Sequence, residues 1–273
     1  MENNTVDVQS LVWYYLPTVA VVPPLAVPAN ALVIYLLLGK PGICSTSEIF
    51  TLNLALFDMM FCITVLVEYI YFLWNPTMNT GSFVAWGVNQ GGGPLLLCLM
   101  ALDSYVGVCH PLLFLRLKDP SLRLSLCLVV YVLTAAICGL IKFYLPNKWN
   151  VILVLISTSI LIISTCNILI LKSLRKSGPN KKLHPAKKRA FKLVLSSFVL
   201  VNVHYLSPIS EYLLREFGST FFSPFSPFTC AAYTVLSMSS FVQPMSYLMR
   251  TKQLPKMRCH CCPAAETKTV EAV

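Results

Sequence analysis

Apolar residues gather in seven long stretches that are separated by short polar segments. The stretches cover residues 11–38, 48–73, 82–109, 124–145, 150–171, 191–214 and 226–249. None of them alternates apolar and polar residues over ten positions, as the strands of a membrane barrel would. A helix needs about 20 mostly apolar residues to span a bilayer. The pattern therefore predicts an all-α chain that crosses a membrane seven times.

The third stretch is the weakest of the seven, because residues 88–94 read Val-Asn-Gln-Gly-Gly-Gly-Pro and such residues weaken a helix. The basic residues around it provide a separate test. Lys40 follows the first stretch. The third stretch is followed by three cations, Arg116, Lys118 and Arg123. Both groups lie on one side of the membrane only if the chain crosses twice between them, so the third stretch is predicted to cross.

Composition and charge agree with this picture. Of the 273 residues, 56% are hydrophobic and 12% are charged, whereas about 25% of the residues of a soluble protein are charged. The net charge is +10, and 18 of the 21 Lys and Arg residues lie on one side if the N-terminus is outside. Cytoplasmic loops carry such an excess. We therefore predict a multi-pass plasma-membrane protein with an extracellular N-terminus and a cytoplasmic C-terminus.

The chain divides into three predicted parts. Residues 1–10 form a short extracellular tail, 11–250 the membrane domain, and 251–273 an amphipathic helix and a cytoplasmic tail. The first ten residues contain two acidic residues and no Lys or Arg, so the basic region of a signal peptide is missing. The sequon Asn3-Asn4-Thr5 makes Asn3 a glycosylation candidate on the outer side.

Five motifs occur in order, each on its own stretch. They are Asn30 after Pro28-Ala29; Asn53-Leu-Ala-Leu-Phe-Asp58; Asp103-Ser104-Tyr105 followed by His110-Pro111-Leu112; Pro208; and Gln243-Pro244-Met-Ser-Tyr247. Over residues 20–262 the chain resembles the rhodopsin-like (class A) G-protein-coupled receptors, whose motifs are GN, NLAxxD, DRY, CWxP and NPxxY. The His-Pro-Leu step and the basic entry to the sixth stretch look most like the purinergic and odorant-like branch, and an orphan receptor of the fish type fits as well.

The resemblance implies a seven-transmembrane helix bundle with a short amphipathic eighth helix, here over 250–258. It implies an extracellular ligand in the outer half of the bundle and a heterotrimeric G protein on the inner side. It also implies that the protein is not an enzyme. The basic residues between 172 and 192 then face a G protein or anionic membrane lipid rather than nucleic acid.

Asp58 is a carboxylate near the middle of the membrane, where a bare charge is costly, so it should be paired, protonated or bound to a cation. In the family this position binds sodium. Asn30, Ser239, Ser240 and Gln243 can supply oxygens here. Gly93 stands where the third helix usually offers a serine. Two interpretations remain open: a sodium site, and a polar cluster that holds three helices together without any cofactor.

The activation motifs depart from the family in two places. The residues that make up these motifs are Asp103, Ser104, Tyr105, Pro208, Gln243, Pro244 and Tyr247. Ser104 replaces the arginine that pairs with the neighbouring aspartate at rest, and it has neither the charge nor the reach. A basic residue of the second inner loop, such as Arg116 or Lys118, is expected to replace it. Leu206 stands where the aromatic trigger usually lies, while Pro208 should still kink the helix.

Three interpretations of Ser104 stay open. The receptor couples through other contacts, it is a decoy or other non-signalling binder, or the chain is a degenerate copy.

The predicted ligand pocket follows from helix geometry and family placement. Its residues are Glu68, Trp86, Asn89, Gln90, Ser210 and Tyr233. Trp86 stands where amine receptors carry an aspartate, which disfavours a biogenic amine.

The cysteines point to acylation rather than to disulfides. The family ties its third helix to the second outer loop by a disulfide, but the chain has no cysteine in 63–97 or 139–165. Cys259, Cys261 and Cys262 lie beside basic residues after the last stretch, as S-palmitoylation sites do. A metal site built from them and His260 is disfavoured, because the four are packed too tightly for a tetrahedral loop. No metal is expected.

Two other classes of membrane protein fit the sequence less well. An intramembrane serine protease needs a Ser–His pair in a wet cavity, and no nucleophile motif accompanies His204 and Ser207. A transporter or channel would show repeated halves or several membrane carboxylates. In this sequence Asp58 is the one carboxylate that clearly lies deep in a predicted span, and the two halves of the chain are dissimilar.

Overall fold

A computed structural model describes six ranges of the chain and a few residues of the sixth stretch. The ranges are 8–39, 46–74, 88–117, 119–143, 148–175 and 227–251, and the further residues are 195, 198, 199, 201, 202, 206 and 209. The regular elements in these ranges are helices. They are α1 (Val8–Leu38), α2 (Thr46–Trp74), α3 (Gly93–Cys109), α4 (Pro111–Arg116), α5 (Pro120–Phe143), α6 (Lys148–Arg175), α7 (Pro227–Ser237) and α8 (Ser239–Thr251).

Four predicted stretches are confirmed as long apolar helices. Within the described ranges, the segments long and apolar enough to cross a membrane are Leu16–Leu38, Glu48–Tyr71, Pro120–Gly139 and Leu153–Arg175. They belong to α1, α2, α5 and α6. The protein is therefore an all-α, multi-pass membrane protein, as the hydropathy pattern predicts.

The third stretch is not one continuous α-helix. Residues Val88–Gly92 form a π-helical turn, and the α-helix begins only at Gly93, with Pro94 in its first turn. Proline is well suited to this position, because the first amides of a helix have no partner inside it. The glycine-rich middle of the stretch thus forms a π-helical turn that leads directly into the α-helix. α3 itself is 17 residues long.

The seventh stretch is also interrupted, so the prediction of one helix over 226–249 is wrong in its middle. The chain turns at Met238, between α7 and α8. Beside this turn the Ser239 hydroxyl donates a hydrogen bond of 3.0 Å to the carbonyl of Leu236, and such side-chain bonds compete with the helical ladder. Most of the sixth stretch, including Pro208, lies outside the described residues.

The described helices pack around one main apolar core. α1 contacts α2, α7 and α8, while α2 also contacts α3 and α5, and α3 packs along α6. At the centre the ring of Phe57 stacks on Tyr131 of α5, with 4.4 Å between the ring centroids. The main core joins residues of α1, α2, α3 and α5, and includes Val22, Phe50, Phe61, Leu96 and Val130.

The contact between α2 and the π turn depends on a glycine. A Cβ atom at Gly92 would lie 2.2 Å from Cε1 of Phe57. The backbone therefore approaches this ring more closely than any residue with a side chain would allow. The flanking glycines are not constrained in this way, since a Cβ at Gly93 would meet nothing within 4 Å.

Candidate functional site

A cavity of about 110 Å³ lies between α1, α2, α3 and α8, and it contains the predicted polar cluster. The polar residues of its wall are Asn30, Thr51, Asp58, Gln243, Ser246 and Tyr247. Val33, Leu54, Leu97, Met100 and Val201 supply much of the apolar wall. The structure thus brings Asn30, Asp58 and Gln243 together, as the sequence predicts.

The polar groups of this cluster are not satisfied by one another. The Oδ1 atom of Asn30, Oδ2 of Asp58 and Oε1 of Gln243 are buried and have no hydrogen-bond partner among the described residues. The hydroxyl of Ser240 lies beside the Asp58 carboxylate but makes no hydrogen bond of good geometry among the described residues. Buried acceptors of this kind are normally paired with water, an ion or a donor. Carboxylate and amide oxygens are ligands that hard cations prefer, so the residues present fit a small cation with water.

Asn30 connects α1 to α8 through an unusual bond. Its Nδ2 atom donates to the carbonyl of Ala26 at 2.9 Å and to the carbonyl of Ser240 at 2.8 Å. In an α-helix the Ser240 carbonyl would accept from the amide of residue 244, but residue 244 is a proline and has no N–H group. Asn30 therefore replaces, from a neighbouring helix, the hydrogen bond that Pro244 removes.

Ser239 of the predicted cluster does not line the cavity. It is buried, but its hydroxyl donates to Leu236 in the preceding turn. It stabilises the break between α7 and α8 instead.

A second polar cluster lies at the C-terminal end of α3, near Cys109. The Nη2 atom of Arg123 is 2.5 Å from Oδ1 of Asp103, and the two side chains are 2% and 14% exposed. The guanidinium also faces two aromatic rings, with its Cζ atom 5.6 Å from the centroid of Phe50 and 5.3 Å from that of Phe114. A buried cation is thus held by one carboxylate and two ring faces.

Asp103 pairs with a basic residue that follows α3, as expected, but this residue is Arg123 rather than Arg116. Arg116 is exposed at the end of α4, and Lys118 lies outside the described residues. Arg123 lies in the first turn of α5, not in a loop. Asp119 precedes this helix, and its Oδ1 accepts from the amide of Ser121 at 3.0 Å. The Asp-Pro start signal at 119–120 would have placed Arg123 inside the helix.

The other two residues of this motif make local contacts. The Ser104 hydroxyl is exposed and donates to the carbonyl of Met100, one turn back in α3, at 2.8 Å. The Tyr105 hydroxyl lies 3.2 Å from Nε2 of His110. Ser104 thus forms no charge pair in place of the family arginine.

The predicted ligand pocket is described only in part. Glu68 lies half-buried in α2, and Tyr233 is buried in α7 at 2% exposure. The backbone of Asn89 and Gln90 forms part of the π turn. Other predicted residues lie outside the described part of the chain. They are Trp86 and Ser210 of the pocket, Ser207 and Pro208 of the sixth stretch, Asn3 of the sequon, and Cys259, Cys261 and Cys262 of the tail.

Sequence comparison now decides between the classes of membrane protein. Residues 29–151, which include both polar clusters apart from α8, match the model of the family described as 7 transmembrane receptor (rhodopsin family). This part of the chain belongs to the rhodopsin family of seven-transmembrane receptors. The fold class is accordingly a seven-helix transmembrane bundle, and the π turn and the break at Met238 are local departures within it.

Individual receptors match over a similar length. G-protein coupled receptor 15 of Mus musculus is 31% identical over 121 residues, which are 41% of this chain and 32% of the relative. Lysophosphatidic acid receptor 5 of Mus musculus is 28% identical over 39% of this chain and 30% of the relative. Proteinase-activated receptor 3 of Rattus norvegicus is 29% identical over 40% and 31%. The aligned part of this chain therefore spans about a third of the length of these relatives.

Proposed function

We propose that the protein is a G-protein-coupled receptor that binds an extracellular ligand in the outer half of its bundle and signals to a heterotrimeric G protein. The observation that carries this proposal is the cavity around Asp58, which is closed on one side by the proline-containing helix α8. A cavity with unsatisfied polar groups against a helix that Pro244 weakens is suited to two packing arrangements. A ligand that prefers one arrangement shifts the balance between them.

The orientation and the partners form part of the same proposal. The excess of cations after α1, α3 and α6 supports an extracellular N-terminus, a plasma-membrane location and a cytoplasmic face that meets the G protein and anionic lipid. Cys259, Cys261 and Cys262 would anchor the tail by palmitoylation, and Asn3 would carry the glycan. Receptors of this kind carry no reaction chemistry of their own, in keeping with a non-enzymatic protein. The ligand class stays open.

Restoring the motif arginine tests whether the receptor signals. We expect Ser104→Arg to increase ligand-free G-protein dissociation several-fold, because a long cation replaces a hydroxyl that bonds only to its own helix. The measurement is a G-protein dissociation assay in cells, with a ligand screen run in parallel on the wild-type chain. Ser104→Ala is the matched control, since it removes the Met100 bond without adding charge, and it should behave as the wild type does.

The proposal would be overturned if the wild type, Ser104→Arg and Ser104→Ala all failed to dissociate a G protein of any class. Given equal amounts at the cell surface, this result would favour a non-signalling or decoy receptor. That alternative draws its support from the local bond of Ser104, which leaves the cytoplasmic end of α3 without its usual movable cation.

Sodium is proposed as the cation of the Asp58 cavity. We expect NaCl to raise the melting temperature of the purified receptor above its value in N-methylglucamine chloride, because a ligand that binds only the folded state stabilises it. Asp58→Asn should lose the difference, since the amide keeps the shape of the side chain but not its charge. Asn53→Asp offers a control for added charge elsewhere in α2. A melting temperature that is the same in both salts would favour the cofactor-free polar cluster.

A further inference from the structure

We infer that Arg123 serves as a positioning residue, which both neutralises Asp103 in place of the missing arginine and fixes α4 against the helix bundle. The structural part of this inference stands by itself. Its consequence for signalling rests on the proposed function, because α4 forms the loop between α3 and α5 on the face proposed to meet the G protein.

The pair is buried, so its charges interact strongly. Arg123 is 2% exposed and Asp103 14%, and salt screens buried pairs much less than exposed ones. Removing one member leaves an uncompensated charge away from water. Arg123 also lies in the first turn of α5, where the positive end of the helix dipole disfavours a cation. The carboxylate of Asp103 is therefore what makes a cation acceptable at this position.

The same guanidinium reaches α4 through Phe114. The Phe114 ring lies between Arg123 and α3, where a Cβ atom at Gly107 would be 3.4 Å from the ring. The ring therefore packs closely against this part of α3. Phe114 is the partly buried residue of α4, and its ring is held between a glycine of one helix and a cation of another.

The rest of α4 has few apolar anchors. Leu112 is 81% exposed, Leu115 66% and Leu113 46%. A six-residue helix is not stable without such packing. Loss of the contact between Phe114 and Arg123 should therefore release α4 while the longer helices stay folded.

The pair is also incomplete, which makes a second arrangement accessible. The Nε and Nη1 atoms of Arg123 are buried and have no hydrogen-bond partner among the described residues. Buried donors without acceptors raise the free energy of the state that contains them. An arrangement that gives these two groups an acceptor would compete with the one seen here. Arg123 can therefore stabilise α4 in its present position or in a second one.

Hydrogen exchange of α4 in the purified full-length receptor tests the structural part. The amides of Phe114 and Leu117 donate to the carbonyls of His110 and Leu113 at 3.0 Å, so they report on α4 directly. We expect Arg123→Gln to accelerate their exchange about tenfold or more, as local opening becomes easier. Arg116→Gln removes the same charge from an exposed position in α4 and should change exchange by no more than about twofold.

Two further variants cover the case in which Arg123→Gln does not fold. Arg123→Lys keeps the charge but lacks the flat guanidinium that stacks on rings, and it should give intermediate exchange. The double variant Asp103→Asn with Arg123→Gln leaves no unpaired buried charge, so it should fold, but it still lacks the cation on the Phe114 ring. Exchange in α4 should therefore stay faster than in the wild type. Exchange in Arg123→Gln equal to that in Arg116→Gln, or wild-type exchange in Arg123→Lys, would overturn the inference.

G-protein dissociation without ligand separates this inference from the proposed function. We expect Arg123→Gln to raise it several-fold above the wild-type value at equal amounts at the cell surface. Faster exchange with no G-protein signal in any variant would count against the proposed function alone. A raised signal with unchanged exchange would count against the role of Arg123 in holding α4.

Discussion

Replacing Gly92 with alanine should lower the free energy of unfolding by about 1–3 kcal/mol, the usual cost of adding atoms to a packed core. The new Cβ atom would lie within 2.9 Å of three atoms of the Phe57 ring. This ring cannot move aside easily, because it is 3% exposed and stacked on Tyr131. Thermal unfolding of the purified receptor and its amount at the cell surface are the measurements.

The neighbouring glycines supply matched controls. Alanine at Gly93 would meet nothing within 4 Å, and at Gly91 the nearest atoms are 3.9 Å away. Alanine is about 1 kcal/mol more favourable than glycine inside a helix, so both control substitutions should be neutral or stabilising. The close approach at Gly92 would be refuted if Gly92→Ala unfolded at the same temperature as Gly93→Ala.

The second large effect is expected at Asn30. Asn30→Ala removes two hydrogen bonds and leaves the buried Ser240 carbonyl without the donor that α1 supplies. An unsatisfied buried group costs about 1–3 kcal/mol, so we expect a loss of stability of that order. Asn53→Ala is the control, because Asn53 is also buried but, among the described residues, its amide donates to Ile49 within the same helix. Both can be followed by thermal unfolding.

A double-mutant cycle with Pro244→Ala isolates the cause. Alanine at position 244 restores a backbone N–H group for the Ser240 carbonyl, so Asn30→Ala should then cost at least about 1 kcal/mol less. The Asn53→Ala substitution should cost the same in both backgrounds. Additive effects of Asn30→Ala and Pro244→Ala would mean that Asn30 does not compensate for the proline.

The long helices and the polar cavity could be predicted from the sequence, because both depend on signals that act along one helix. Runs of apolar residues determine the membrane-spanning segments. A carboxylate at position 58 has to be accompanied by polar groups, and Asn30 and Gln243 do approach it. The sequence Val-Asn-Gln-Gly-Gly at 88–92 is unfavourable for an α-helix, and these residues form the π turn.

Contacts between helices could not be predicted with the same accuracy. The choice of Arg123 over Arg116 as the partner of Asp103 depends on where α5 begins and how it is rotated towards α3. Ser239 and Ser240 are adjacent in sequence, yet the hydroxyl of Ser239 donates to Leu236 of α7 and the carbonyl of Ser240 accepts from Asn30 of α1. Spacing along one helix does not specify its rotation relative to another, and that rotation decides these pairings.

The bond from Asn30 to Ser240 also affects how α8 can move. A helix that bends normally stretches its own hydrogen bonds on the outer side of the bend. At Ser240 there is no such bond to stretch, since the acceptor is held by α1. The part of α8 beyond Pro244 can therefore pivot at little cost, with α1 as the fixed support. Movement of Tyr247 relative to Asp58 would then be governed by the first helix of the receptor as much as by the helix that bends.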